Sequence, residues 1–316
     1  MHIFVTGGNG FIGSHVVQKL ISEGHQVTCL LRPTSDTKRL SSFSYTPAIG
    51  DVRDFKSILT GMNGCDAVIH LASLSSWNDI ASPKMHEIVV DGSKNVFEAA
   101  KQLGNLKTVF VSSAAAINGT DTPELQNETS KFTLDANKLP YSKAKITVEH
   151  MNYPFVTVNP GEVYGPQDFG LITACNLIDF AKSSPVLVCS GGTSIVHVED
   201  VASGIIAALQ KGQNGQRYIL AGDNLTVREL AEMTLSILSQ HKKILQIPNT
   251  ALRIAAKTAS ALRLPFPIHP NVVPYATRYW MMDNQKAKRE LEITFRNAKE
   301  TLEPTLAWLK KENLIS

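Results

Sequence analysis

The sequence predicts an α/β fold: a doubly wound parallel sheet with a smaller C-terminal α/β part. Three observations carry this prediction. Short β-rich runs alternate with helical patterns through the first half, the strands are almost continuously apolar, and a glycine-rich turn joins the first strand to the first helix. Apolar strands alternating with helices are the pattern of a parallel sheet covered on both faces.

The elements follow in order. H-I-F-V-T (His2–Thr6) is the first strand, and an amphipathic helix is expected over Phe11–Ser22. Further strands are expected at Gln26–Leu31, Tyr45–Ile49, Ala67–Leu71, Lys107–Ser112 and Phe155–Val158. Helices are expected at Phe55–Thr60, Met85–Leu103 and Tyr141–His150. The last of these must be short, because the strand at Phe155 follows so soon; about ten helical residues span roughly 15 Å. After Pro160 the rhythm breaks, and Gly/Pro clusters at Gly161–Gly170, Ser183–Gly192 and Pro265–Pro274 read as loops. The expected division is 1–165, with a return segment near 193–220, and 166–316.

Composition bounds the chemistry. The chain has 316 residues, 43% hydrophobic and 19% charged, with a net charge of only +3. Its Lys and Arg residues are scattered, which does not call for nucleic acid. Cys29, Cys65, Cys175 and Cys189 lie far apart without a C-x-x-C pair, so neither a zinc site nor a disulfide framework is suggested, and three of them read as small buried residues. Apolar runs stay below the roughly 18 residues of a membrane span, and strand-like sequence begins right after Met1. Cytoplasm is the expected compartment.

The run I-F-V-T-G-G-N-G-F-I-G-S-H-V places Gly7, Gly10 and Gly13 between a strand and a helix. Gly7 permits the tight turn, Gly10 lets a pyrophosphate approach the backbone, and Gly13 lets helix and strand pack closely. Asn9, Phe11 and Ile12 complete the expected cofactor loop. The second strand ends in Leu31-Arg32 rather than in the acidic residue that binds ribose hydroxyls. Arg32, assisted by Thr34 and Ser35, can pair with a 2′-phosphate, which favours NADP, with NAD as the alternative. Further along, P-Y-S-K-A-K sets Tyr141 and Lys145 on one helical face. An ammonium beside a phenol is expected to lower its pKa and make it a usable proton donor and acceptor.

With G-G-N-G-F-I-G, V-F-V-S-S-A-A-A and P-Y-S-K-A-K in this order, the chain resembles the extended short-chain dehydrogenase/reductases, also called the NAD-dependent epimerase/dehydratase family. G-D-V-R-D at 50–54, H-L-A-S at 70–73, N-P-G-E-V-Y-G-P at 159–166 and H-V-E-D-V-A at 197–202 extend the likeness over most of the chain. L-L-R-P-T-S-D and G-Q-R-Y-I-L-A-G-D-N-L-T-V-R-E-L are most like the dihydroflavonol-4-reductase-like branch, which includes proteins labelled hopanoid-associated sugar epimerases.

The resemblance implies a Rossmann fold and a Ser-Tyr-Lys arrangement. Tyr141 would exchange the proton with the substrate oxygen while the nicotinamide gives or takes hydride. Lys145 would hold the nicotinamide ribose and lower the Tyr141 pKa. Ser113, or Ser112 if the register shifts by one, would hydrogen-bond the carbonyl. Asp51 and Val52 would border the adenine, Leu71, Ala72 and Ser73 would line the cofactor, and the turn from Pro160 to Val163 would approach the nicotinamide. A homodimer through helices 85–103 and 141–150 is also implied.

Departures bear on the substrate. Val89 stands where the family usually has an amide side chain. Thr193 and Ser194 stand where nucleotide-sugar epimerases carry a diphosphate-binding arginine, and no arginine lies between Arg53 and Arg217. Ala114, Ala115 and Ala116 replace the acidic residues of sugar-nucleotide dehydratases. The expected activity is therefore NADP-dependent reduction of a ketone or aldehyde, or the reverse, with a sugar epimerase and a non-catalytic NADP-sensing scaffold as alternatives.

Three further groups have two readings each. His197, Glu199 and Asp200 read as a turn with helix-start acids rather than as metal ligands; no metal is expected. Glu162 and Tyr164 touch substrate or serve the turn alone. The helical stretch 249–264, with a polar stripe of Thr250, Arg253, Lys257 and Ser260, either packs on the C-terminal part or forms a lid or lipid-facing surface for a lipophilic substrate.

Overall fold

The computed structural model describes residues 1–74, 76–262, 264 and 269–316, and the backbone but not the side chain of Ser260. Residues 265–268 of the expected loop at Pro265–Pro274 therefore fall outside the described residues, as do Ser75, Arg263 and the Ser260 side chain.

The strands, in chain order, are β1 (His2–Thr6), β2 (Gln26–Leu31), β3 (Thr46–Ile49), β4 (Ala67–His70), β5 (Lys107–Val111), β6 (Leu125–Gln126) and β7 (Phe155–Pro160). They continue with β8 (Glu162–Tyr164), β9 (Val186–Cys189), β10 (Gly192–His197), β11 (Arg217–Leu220), β12 (Asn224–Thr226), β13 (Ile244–Ile247) and β14 (Tyr279–Met282). Seven of them form one sheet in the order β11-β7-β5-β4-β1-β2-β3, and every pair in it is parallel. This is the doubly wound sheet that the sequence predicts. The strand order reverses between β1 and β4, which opens a crevice at their carboxyl ends.

Alternation along β1 shows how the sheet acquires two cores. Ile3 and Val5 face the helices Phe11–Ser22 and Val198–Lys211, whereas Phe4 points to the opposite side. There it joins Ile58, Met62 and Val68 with an aromatic group of Phe97, Phe110 and Phe155. Phe97 stacks on Phe155 with centroids 4.7 Å apart and meets Phe110 edge-on at 6.0 Å.

Beyond Pro160 the chain, with β6 from before it, builds two small sheets, β12-β10-β14-β6 with β8 joined to β10, and the pair β13-β9. Helices Ala174–Lys182, Val227–Ile237 and Ala298–Lys311 cover them, around Leu177, Leu230, Leu302 and Trp308. The last two of these helices each start on a capping box, Thr226 with Glu229 and Asn297 with Glu300.

Several boundaries differ from the expectation. Strand β8 lies inside the expected loop Gly161–Gly170 and β9 inside Ser183–Gly192. Both are short and gain their stability from partners far away in sequence, β10 and β13. The helix expected over Met85–Leu103 is interrupted. His86–Asp91 forms a π-helical turn that feeds the regular helix Gly92–Gln102. At this junction Gly92 lies so close to Val52 that a Cβ would meet its Cγ2 at 2.8 Å, and the Ser93 hydroxyl bonds back to the Val89 carbonyl. The catalytic-helix candidate runs Pro140–Glu149 and is ten residues long, as short as the spacing requires.

Phe97→Ala removes the centre of the aromatic group and is expected to cost about 3–5 kcal/mol, measured as a lower urea midpoint at unchanged slope.

Candidate active site

The first strand runs into a turn that only glycines can make. Gly7 has φ of +70°, and a Cβ there would sit 2.8 Å from the Ala72 amide nitrogen. A Cβ on Gly13 would sit 2.1 Å from the Gly7 carbonyl oxygen. Gly10 is different: its only close neighbour is that same oxygen at 3.1 Å, so its outer side is open. The helix that follows starts at Gly10 with no side-chain cap and no acidic residue in its first turn, which leaves an anion-attracting terminus. The Ser73 hydroxyl, nearby on the strand end that Gly7 touches, is buried without a partner among the described residues. An open glycine face, an uncapped helix start and an orphaned hydroxyl fit a dinucleotide. Gly7, Asn9, Gly10, Phe11, Ile12 and Gly13 would hold its pyrophosphate, with Leu71, Ala72 and Ser73 on the other wall.

A buried chain of hydrogen bonds fixes that wall. The Ala72 amide donates to Thr6 Oγ1 at 3.2 Å, and Thr6 Oγ1 meets His70 Nδ1 at 2.6 Å. His70 Nε2 contacts Ser93 Oγ at 2.9 Å, and Ser93 donates onward to Val89. Because the Ser93 proton is committed, His70 Nε2 must donate and Nδ1 must accept. Neutral imidazole satisfies both contacts. Burial, followed by the charge of Lys145, pushes the His70 pKa down to about 3. The buried Val89, in place of the usual amide, leaves this support to its backbone carbonyl.

At the other end of the crevice, β2 leads into a turn closed by Arg32 and Ser35, whose amide nitrogens bond to Ser35 Oγ at 3.1 Å and to the Arg32 carbonyl at 2.9 Å. Arg32 is exposed, and Asn9 reaches across to the Asp36 carbonyl at 3.1 Å. Asp51 is gripped by Arg53 through two bonds of 2.9 Å, which holds its carboxyl below the usual range, with a smaller contribution from the charge of Arg32. Val52 is buried and receives Asn95 at its carbonyl.

Tyr141, Lys145 and Ser113 converge beside the ends of β5 and β7. Ser113 follows β5, caps the short turn Ala114–Ala116 and acts to lower the pKa of the Tyr141 phenol. Ser112 faces inward instead and donates to Glu149. The register thus sets Ser113, not Ser112, against the tyrosine. Lys145 is 2% exposed; its Nζ donates to the Val111 carbonyl at 2.8 Å and lies 5.9 Å from the Tyr141 ring centre.

One expectation is corrected here. Tyr141 is not acidified: burial pushes its pKa up to about 12, against the opposing hydrogen bond from Ser113, and Tyr275 adds to the rise. Burial equally pulls Lys145 down to about 8, with Glu149 opposing. Enclosure removes water from both groups, and the ammonium bonds the Val111 carbonyl rather than the phenol.

Sequence reasoning missed the layer beneath. Glu149 lies one turn after Lys145, its side chain 4% exposed, and pairs with Arg217 Nε at 2.8 Å. Asn159 Nδ2 donates to Glu149 at 2.8 Å and to the Ser113 carbonyl at 3.0 Å. The spacing Y-x-x-x-K-x-x-x-E held the only local signal. Tyr275, also missed, lies 3.4 Å from the Ser142 amide and packs with Trp77 and Trp280 over the site. No local pattern links these residues.

Pro160 ends β7 and Val163 lies buried in β8. His197 caps the helix Val198–Lys211, while Arg296 bonds Glu199 at 2.6 Å and Asp200 at 2.7 Å. In the helix Asn249–Ala261, Leu252 and Ala256 pack against Cys189 and Val273, and Arg253 is tied to Thr277 at 2.9 Å. Cys29, Cys65 and Cys189 are buried and Cys175 is exposed. Among the described residues no helix is long and apolar enough to cross a membrane.

A glycine turn at the reversal of a parallel sheet, with serine, tyrosine and lysine gathered at the neighbouring strand ends, defines a nicotinamide-dinucleotide-binding Rossmann protein. The chain belongs to the NAD-dependent epimerase/dehydratase family, whose model matches residues 3–221. It is 25% identical to a putative dihydroflavonol 4-reductase of Synechocystis over 99% of this chain and 95% of that one. It is 24% identical to sterol demethylase protein B of Methylococcus capsulatus over the whole of both chains. Anthocyanidin reductase of Vitis vinifera is 30% identical over 75% of this chain and 81% of its own. The fold also matches the UDP-glucose 4-epimerase of Thermotoga maritima, with a TM-score of 0.77 and 21% identity over 99% of this chain and 100% of that one.

The buried His70 predicts an acid sensitivity. Its folded pKa, about 3, lies below its ordinary value of 6.5, so between these values the unfolded chain binds more protons. Its contribution is full above about pH 6.5 and is lost as pH falls toward 3, at up to about 1.4 kcal/mol per pH unit. Urea unfolding of wild type and His70→Gln between pH 5 and 7 is expected to show a shallower dependence in the variant.

Proposed function

We propose that the protein is an NADP-dependent oxidoreductase that reduces a ketone or aldehyde, or oxidises the corresponding alcohol. The observation that carries this reading is the enclosure of the Tyr141 phenol, which pushes its pKa up to about 12, together with the buried Lys145 on the same helix face. At neutral pH such a phenol is protonated and can give its proton to a carbonyl oxygen that is receiving hydride. Ser113 then stabilises the developing oxyanion, and Lys145, anchored on Val111, holds the nicotinamide ribose. The cofactor supplies the hydride when bound; the chain supplies orientation, the proton and exclusion of water. Residues 1–165 serve the cofactor and 166–316 mainly the substrate.

Arg32 supports NADP over NAD: it is exposed at the end of β2, and Asp51, on whose carboxyl its charge bears, is already held by Arg53. Reduction is favoured over epimerisation by the names of several relatives, including a farnesyl-dihydroquinoline-oxide ketoreductase of Stigmatella aurantiaca, 26% identical over 83% of this chain. Ala114–Ala116 offer no acid or base beside Ser113. Tyr275, Trp77 and Trp280 give the neighbourhood of Tyr141 an aromatic, apolar character suited to a lipophilic substrate.

Cofactor spectroscopy tests the reading. A reductase consumes NADPH in step with product, whereas an epimerase regenerates its cofactor at each turnover. Tyr141→Phe is expected to lower kcat by about 10²–10⁴-fold, and unchanged turnover would leave the scaffold reading in its place. Arg32→Ala is expected to raise the KM for NADPH roughly tenfold or more while leaving that for NADH nearly unaltered.

A further inference from the structure

Residues 233–282 contain no aspartate or glutamate, but they contain Lys242, Lys243, Arg253, Lys257, Arg263 and Arg278. These six cations exceed the net charge of +3 carried by the whole chain, so the remainder is net acidic. Part of this segment folds as one unit: β13, paired in parallel with β9, and the helix Asn249–Ala261 that follows it. Val186 and Val188 of β9 face the helices Ala174–Lys182 and Val227–Ile237. Leu187 and Cys189 therefore point to the other side of the two-stranded sheet. The helix Asn249–Ala261 lies on that side, with Leu252 and Ala256 against Cys189. It covers Cys189 but leaves Leu187 and its cross-strand partner Leu245 exposed.

The outward side of this unit is apolar. Large apolar side chains exposed one at a time are ordinary on a protein surface, but a cluster of them is not. Of the nine exposed among the described residues, five belong to this unit or follow it directly: Leu187, Leu245, Ile254, Leu262 and Leu264. Ile254 is 67% exposed, and it lies two residues past the buried Leu252, on the helix side turned away from the sheet. Ala251, Ala255 and Ala261 are exposed as well.

Cations flank the apolar side. Arg253 and Lys257, one turn apart, line a cleft between the helix and residues 270–274, whose other walls include Ala256, Val273 and Pro274. Among the described cations of the segment only Arg278 meets a carboxylate, that of Asp121 at 2.8 Å, which comes from outside it. Arg253 bonds Thr277, and Lys242 bonds the Ala181 carbonyl, so neither charge is compensated. A second copy of the chain docked here about a two-fold axis would set cations against cations. Exposed aliphatic side chains bordered by cations match instead the surface of an anionic lipid bilayer. Aliphatic groups enter its acyl boundary, and each Lys or Arg near it strengthens binding about fivefold.

We propose that the face formed by the helix Asn249–Ala261 with β9 and β13 docks the protein on anionic membranes. The cleft wall leads from there toward the candidate active site. Asn271 donates to the Trp77 carbonyl at 2.9 Å, and Tyr275, in the short helix Val273–Ala276, packs with Trp77 and Trp280. Docking stands without the proposed reaction; only its use, delivery of a lipophilic carbonyl compound to Tyr141, rests on that reading.

Co-sedimentation of the full chain with lipid vesicles tests the docking and reads binding without turnover. Wild type is expected to bind phosphatidylcholine vesicles containing about 30% phosphatidylglycerol at least roughly tenfold better than pure phosphatidylcholine, and to lose the preference at high salt. Lys257→Glu and Ile254→Asp, both at exposed positions, are each expected to weaken binding about tenfold or more. Lys56→Glu, the same charge change on the exposed start of the helix Phe55–Met62, is expected to leave it within about twofold. Circular dichroism checks that each variant is folded. Absence of binding to the anionic vesicles, equal binding to both vesicle types, undiminished binding by either folded variant of the face, or an equal loss in Lys56→Glu would overturn the proposal. So would an oligomer that Ile254→Asp dissociates while no vesicle is bound, which would seat a second copy of the chain on this face. Vesicle binding without NADPH consumption would count against the proposed reaction alone.

Discussion

The burial of one ammonium group constrains everything around it. Lys145 is 2% exposed, and a charge there needs partners or its desolvation would displace it. The Val111 carbonyl supplies one bond and Glu149 a compensating charge one helical turn on. Glu149 is then itself a buried charge, and it is answered by Arg217, Ser112 and Asn159. Those three residues come from β11, from the end of β5 and from β7, so a single carboxylate ties together three adjacent strands where the chemistry is placed. Breaking such a buried pair typically costs about 3–5 kcal/mol, because the remaining charge is left bare.

The same absence of water orders the rest of the site. His70 is driven toward its neutral form and Tyr141 toward its protonated form, both by burial before any neighbour. Neutral His70 lets the chain from Ala72 through Thr6 to Ser93 run with every proton placed, and that chain holds the strand end against which Gly7 turns. The glycine turn and the Tyr141 neighbourhood, the proposed cofactor and proton-donor sites, are in this sense supported from one desolvated layer beneath the carboxyl edge of the sheet.

Legibility in the sequence follows the range of each interaction. The glycine turn was readable because the need for positive φ at Gly7 and for close packing at Gly13 is local. Tyr141 and Lys145 were readable because helical spacing sets them on one face, and the ten-residue length of their helix followed from the distance to the next strand. The choice of Ser113 over Ser112 was readable only as a preference; it is the direction of each side chain at the end of β5 that separates them. The π-helical turn at His86–Asp91 and the strands β8 and β9 were not readable, since each depends on contacts with distant chain such as Val52, β10 and β13.

By itself, then, the sequence determined the parallel doubly wound sheet, the dinucleotide turn and the family, all of which are written in apolar periodicity and in glycine and helix spacings of a few residues. Tertiary structure alone decided the acidity of Tyr141 and Lys145, the partners of Glu149, and the aromatic neighbours contributed by Trp77, Tyr275 and Trp280. The physical reason is that desolvation depends on how much protein surrounds an atom from all directions. Arg217 reaches Glu149 across 68 residues of chain, and no window of sequence records that enclosure.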